Sequence, residues 1–377
     1  MFDFPMAEPS VGTAVYCLLA YLFILCFNYK NALKNPYLYP VKKSKKQLFI
    51  ILACFIIITF CQKGDFFHLM WHIYDYEFIP RAYNYGEPVY IEIAQLVEKN
   101  YFFFRIIVWG GAFTLFCLTA RRLRVPVYYA IIFLFCSYII LFAYARATAA
   151  MAVYFFGLSF LCKPIKNKEP LSYIIGLIVI YTSWEFHNSA IIMIIITSFI
   201  FIPLSKWSIA LILIGIPFVV TIAKGYFYEI MIFAEESESA VGERMSRYSQ
   251  SEKGSTVAET LLGTFKYLSF YIPIIISTIT ILTKNNIKKI SVPIIRMYKI
   301  AFGIIFMAST LYLFGETFYV MFYRVLYMSM IPLSIVITAL YKEKYITIKQ
   351  FRWCYMLGII HTILGLTYTT YDIIVNS

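Results

Sequence analysis

Arg146 opens the small-residue run Arg146-Ala147-Thr148-Ala149-Ala150, and His187 sits inside Trp184-Glu185-Phe186-His187-Asn188-Ser189-Ala190. Two apolar runs, 147–163 and 170–186, separate them, joined by the polar stretch Lys163–Glu169. Two antiparallel helices with a short connection would return Arg146 and His187 to the same end. A fixed cation beside a neutral imidazole suits group transfer from a phosphorylated donor. The cation stabilises a phosphate leaving group, and the imidazole accepts a proton from the attacking hydroxyl. Read alone, His187 is a helix-end histidine bonded to backbone.

Other polar residues cluster in the segments between apolar runs. Gly64-Asp65 follows the second run, and Glu87-Pro88-Val89-Tyr90 precedes the third. Arg244, Arg247 and Tyr248 lie in a long polar stretch, and Tyr323-Arg324 leads into a late apolar run. His68, His72 and Asp75 have a spacing that puts three ligand types on one helix face. The glutamate of a His-Glu-x-x-His motif is missing, and the expectation is no metal and no cofactor.

The elements that must position these residues follow from composition. The chain has 377 residues, 61% hydrophobic and 14% charged. A soluble domain is roughly 45–50% apolar and about 25% charged, so a soluble globule and a disordered chain are both excluded. The pattern predicts an all-α polytopic membrane protein with about twelve transmembrane helices. Their approximate spans are 10–28, 47–62, 101–120, 126–145, 147–163, 170–186, 189–204, 207–223, 263–283, 296–314, 325–341 and 353–371. Residues 1–377 read as a single transmembrane domain with two longer outer loops, 63–100 and 224–262, carrying short helices. The acidic leader and lack of a cleavage motif mark the first run as a retained helix.

Orientation follows from the basic segments. The lysine-rich stretch from Lys30 to Lys46 belongs on the cytoplasmic side, and alternation then places Arg121, Arg122, Arg124, Lys163, Lys206, Lys284, Lys299, Lys342 and Lys344 with it. Both termini fall outside. The net charge of +13 is thus mainly a topology signal rather than a nucleic-acid footprint. The inner set is dominated by lysine. The outer set pairs Lys63, Lys99, Lys224, Lys253 and Lys266 with Arg81, Arg105, Arg146, Arg244, Arg247 and Arg324. Lysine suffices for a topology signal, whereas the planar arginine fork suits phosphate. The spans carry little deep charge, which favours chemistry at the outer face over transport. The eight cysteines lie in or beside apolar runs and read as small hydrophobes.

Gly64-Asp65, Glu87-Pro88-Val89-Tyr90, Asn100-Tyr101, Arg146 with its small-residue span, Phe186-His187-Asn188-Ser189-Ala190, Arg247-Tyr248 and Tyr323-Arg324 occur in an order that resembles the EpsG/Wzy-like polysaccharide polymerases. The resemblance implies a glycosyltransferase C-like membrane fold. It also implies an enzyme that joins oligosaccharide repeat units carried on undecaprenyl diphosphate into an O-antigen, capsule or exopolysaccharide. The bacterial inner membrane would be the location, with the active site facing the periplasm or exterior and a chain-length regulator as a possible partner. On this reading Arg146, Arg244, Arg247 and Arg324 bind diphosphate, His187 or Asp65 is the base, and Glu87, Tyr90 and Tyr248 bind sugar. No nucleic acid is expected. An O-antigen ligase-like transferase shares the reaction. A membrane acyltransferase fits less well, because the first span has neither His nor Arg, and a flippase less well, because no internal repeat is evident.

Overall fold

The computed structural model describes residues 19–24, 45–60, 88–98, 100–144, 147–162, 170–187, 190–203, 205–207, 209, 215, 257–283, 289–313 and 319–376. Every regular element among them is helical. In chain order these are α1 (Lys45–Phe60), α2 (Pro88–Leu96), α3 (Tyr101–Arg105), α4 (Gly111–Arg122), α5 (Val127–Tyr144), α6 (Ala147–Leu161) and α7 (Pro170–Phe186). There follow α8 (Ala190–Ile196), α9 (Val257–Leu282), α10 (Val292–Leu313), α11 (Tyr319–Tyr327), α12 (Met330–Lys342) and α13 (Ile348–Asn376). A π-helical turn, Ile106–Gly110, links α3 to α4, and a 3₁₀ turn, Thr197–Phe201, extends α8.

Four helical stretches among the described residues are long and apolar enough to cross a membrane: Phe103–Arg122, Gly263–Leu282, Val292–Tyr312 and Phe322–Lys342. Five shorter apolar helices, such as Ala147–Leu161 and Pro170–Phe186, accompany them. α9 starts at Val257, inside the stretch expected as the second outer loop. Polar residues Glu259 and Thr260 end the hydropathy signal there, but they do not oppose helix formation.

α6 and α7 form the expected antiparallel hairpin. Two glycines let their backbones touch. A Cβ on Gly157 would lie 2.9 Å from the Gly176 carbonyl oxygen and 2.9 Å from the Ile180 amide nitrogen. Small residues at such crossings give close van der Waals packing where lipid supplies no hydrophobic drive between helices. α13 meets α5 in the same way: a Cβ on Gly358 would overlap Ser137, 2.6 Å from its Cα. The opposite face of α7 exposes Leu171, Ile174, Leu177, Ile178 and Tyr181, an apolar surface suited to lipid.

Tyrosine hydroxyls stitch the bundle together. Tyr21 and Thr362 both donate to the Cys136 carbonyl, at 2.7 and 3.1 Å, and Tyr154 donates to the Met193 carbonyl at 2.8 Å. Pro273 lies inside α9 and brings no amide hydrogen to the Ser269 carbonyl. The Tyr138 hydroxyl donates to that oxygen instead, at 2.8 Å. Apolar surroundings make such replacement necessary, since an orphaned backbone group has no water to turn to. Cys54, Cys136, Cys162 and Cys354 are buried free thiols among these helices.

Basic residues gather at one end of the bundle. α4 and α12 both finish in a Schellman turn. In one, Val125 N–H donates to Ala120 O and Arg124 N–H to Arg121 O; in the other, Tyr345 donates to Leu340 and Lys344 to Tyr341. Arg124 and Lys344 take the left-handed position, at φ 60° and 63°. Lys342 Nζ donates to the Arg124 carbonyl at 3.3 Å, joining the two turns. Arg296 donates to the carbonyl of Leu161, the last residue of α6, at 2.7 Å. Lys299 donates to Ile200 O at 2.9 Å and to Ile202 O. Arg122 covers the Phe160 ring at 3.5 Å. Arg122, Arg124, Lys299, Lys342 and Lys344 belong to the set that the charge rule assigns to the cytoplasmic side, and the same alternation adds Arg296.

Candidate functional site

The opposite ends of α6 and α7 carry the sequence motifs. α2, from the first long polar segment, lies against the end of α7 and places Tyr90, Ile91 and Ala94 on one buried face. The Tyr90 ring meets Phe186 edge-to-face, with centroids 5.9 Å apart at 87°. It also lies 6.4 Å from Phe104 of α3, which is 6.3 Å from Trp109 in the π turn. Ala149, three residues after Arg146 in the chain, completes this small cluster. Two sequence motifs distant in the chain, Pro88-Val89-Tyr90 and Phe186-His187, are therefore adjacent in space.

His187 follows directly on Phe186. Its amide donates to Ser183 O at 3.4 Å, ending α7, and its carbonyl accepts from the Ala190 amide at 2.9 Å, starting α8. The residue thus occupies the break between two helices and is half-buried. The backbone bonds belong to the helix-end role, while the position beside the Tyr90 cluster suits the chemical one.

Two further polar residues line the same end. Arg105, last in α3 and only 4% exposed, sits next to Phe104 and directly before the π turn. Single π turns recur at functional sites because the extra residue re-aims the side chains around it. Here the turn brings Trp109 into the Tyr90 cluster and Gly110 against α1, where a Cβ would lie 2.9 Å from the Phe55 ring. Thr148, fully buried in the first turn of α6, has a hydroxyl with no hydrogen-bond partner among the described residues. Charge counting places Arg105 only among the outer bases. Its signal was an arginine within the apolar run Phe102-Phe103-Phe104-Arg105-Ile106-Ile107, a placement that requires specific partners.

Of the expected site residues, the structure brings Tyr90 and His187 to one end of the α6–α7 hairpin. Arg324 stands elsewhere, exposed in the last turn of α11, beside Tyr323 and near α9. There Tyr267 of α9 stacks on Tyr323 at 5.3 Å and 11°, and Lys266 Nζ lies 3.7 Å from the Tyr323 ring centre. Asp65, Glu87, Arg146, Arg244, Arg247 and Tyr248 lie outside the described residues, as do His68, His72 and Asp75.

The arrangement sets a half-buried imidazole at a helix break beside a buried aromatic cluster, a buried guanidinium and a buried hydroxyl at one bundle end. An imidazole at such a break can accept a proton. No curated protein and no solved structure matches the chain. The family model described as "EpsG family" matches residues 65–375. That family is of the polysaccharide-polymerase type and membrane-embedded, in keeping with the all-helical, apolar fold. The match covers most of the chain, and it runs through Tyr90, His187 and Arg324 alike: the chain belongs to the EpsG family.

Proposed function

We propose that the protein polymerises undecaprenyl-diphosphate-linked oligosaccharide repeat units into a surface polysaccharide. The work is done at the outer face of the bacterial inner membrane, in a bundle of about twelve spans. The observation that carries the reading is the meeting of Tyr90 with Phe186-His187 at the mouth of the α6–α7 hairpin, in a chain of the EpsG family.

The chemistry is a displacement at an anomeric carbon. A hydroxyl of the acceptor glycan attacks C1 of the donor sugar and gives its proton to His187, with Asp65 as the alternative base. The new glycosidic bond forms as the bond from C1 to the phosphate oxygen breaks. Undecaprenyl diphosphate leaves with the electron pair. Negative charge grows on the leaving oxygen, so fixed arginines lower the barrier most directly. Arg146 immediately precedes α6 in the chain, and Arg244, Arg247 and Arg324 are the other candidates. Glu87, Tyr90 and Tyr248 are the candidates for the sugar side.

The test is the glycan banding pattern of cells with and without the protein. Collapse of the ladder to single repeat units supports polymerisation. A ladder of normal length that lacks only an acyl group would replace this reading with acyl transfer.

A further inference from the structure

The proposed polymerase must hold two lipid-linked glycans at once, and the Tyr90–His187 cluster accounts for one. A second aromatic and basic cluster stands on different helices. We propose that Lys266, Tyr267, Tyr323 and Arg324 form a second subsite for a glycosyl diphosphate on a polyprenyl lipid. This inference rests on the polymerase reading and assigns Arg324 to the second substrate rather than to the diphosphate beside His187.

The two clusters share one end of the bundle. Leu161 at the far end of α6 meets Arg296 at the start of α10, and Lys342 at the far end of α12 meets Arg124 after α4. Tyr323 and Arg324 lie just before α12 begins, and Lys266 lies in the first half of α9. Both stand away from that basic end, as Tyr90 and His187 do.

The second cluster has the parts that a sugar phosphate needs. Tyr267 and Tyr323 are parallel, and their hydroxyls bond to each other. The paired hydroxyls at the edge of this stack offer both donor and acceptor to sugar oxygens. Gly263 precedes Tyr267 by one turn; it presents no side chain over the Tyr323 hydroxyl, which lies 3.7 Å from where a Cβ would be. Lys266 Nζ lies 3.7 Å from the Tyr323 centroid and 4.6 Å from that of Tyr327. That position fixes the ammonium over the Tyr323 ring. The exposed Arg324 guanidinium supplies a second cation and a fork for phosphate oxygens. The buried Phe322, 5.3 Å from Tyr267, packs the stack against Tyr312, which is 54% exposed.

A lysine packed on rings for stability alone would serve the bundle without a ligand, and the two roles separate by counting bound molecules. The probe is farnesyl diphosphate linked to N-acetylglucosamine, added to full-length protein in detergent, with occupancy counted by native mass spectrometry. The wild type should take up two molecules. Lys266→Gln combined with Tyr323→Leu should take up one, as should Tyr90→Leu combined with His187→Gln. Tyr323→Phe keeps the ring packing and guards against misfolding; it should weaken the second binding event about tenfold. Two molecules bound at wild-type affinity by the Lys266/Tyr323 and Tyr323→Phe variants would overturn the second subsite and leave the polymerase reading standing. A wild type that binds none would overturn both.

Discussion

The two ends of the bundle use basic side chains differently. At the end assigned to the cytoplasm, Arg296, Lys299 and Lys342 donate to carbonyls at helix ends and turns, and Arg124 and Lys344 occupy turn positions. Those groups satisfy oxygens that the helices leave unbonded and favour the negative end of the helix dipole. At the other end, Arg105 is buried next to aromatic rings, Lys266 lies over Tyr323, and Arg324 is exposed beside the same ring system. Charge at one end is tied to backbone carbonyls and turns; charge at the other is set among aromatic rings.

The largest effect should come from the aromatic end. His187→Ala should slow glycan lengthening by about 10²–10⁴-fold with unchanged protein in the membrane, the range for loss of a general base. Chain lengthening at the wild-type rate in that variant would pass the role to Asp65. The scaffold end should respond in the opposite sense. Lys299→Met should lower stability by about 1.5–3 kcal/mol, as for loss of charged hydrogen bonds, while the rate per folded molecule holds. Thermal unfolding in detergent and an activity assay on the same sample measure both, and a slowed rate at unchanged stability would break the comparison.

The middle of the bundle gives a smaller, paired effect. Tyr138→Phe should cost about 1–3 kcal/mol by orphaning the Ser269 carbonyl. Adding Pro273→Ala should recover part of that loss, because an alanine amide can reach the same oxygen. A pair of purely additive losses would contradict the account of the proline. The smallest effect belongs to the turns: Lys344→Gly should raise stability by up to about 1 kcal/mol by relieving a side chain at φ 63°. No gain in the unfolding temperature would show that the Lys344 side chain offsets its own backbone strain.

The helical architecture was legible because apolar runs of membrane length leave few alternatives to helix. The α6–α7 hairpin was legible because a short polar connection separates two such runs. Arg105 was underweighted for a physical reason: a base near a span end looks like one that reaches out to water, and only packing reveals that it is buried. Lys266 was counted simply as an outer charge, since nothing local in Lys266-Tyr267 announces the distant Tyr323. The π turn at Ile106–Gly110 was invisible, because its five residues are as apolar as their neighbours. Tyr90 and His187 were named from short motifs, and their juxtaposition needed the fold.

The central claim is that the end of the α6–α7 hairpin carrying Tyr90 and His187 performs the transfer, with Arg146, which precedes α6 in the chain, as its leaving-group cation. The most direct measurement is the chain-length distribution of glycan in cells whose only copy of the protein carries Arg146→Ala. The account predicts normal protein in the membrane, single lipid-linked repeat units in excess, and no long chains. Long chains in normal amount would contradict it.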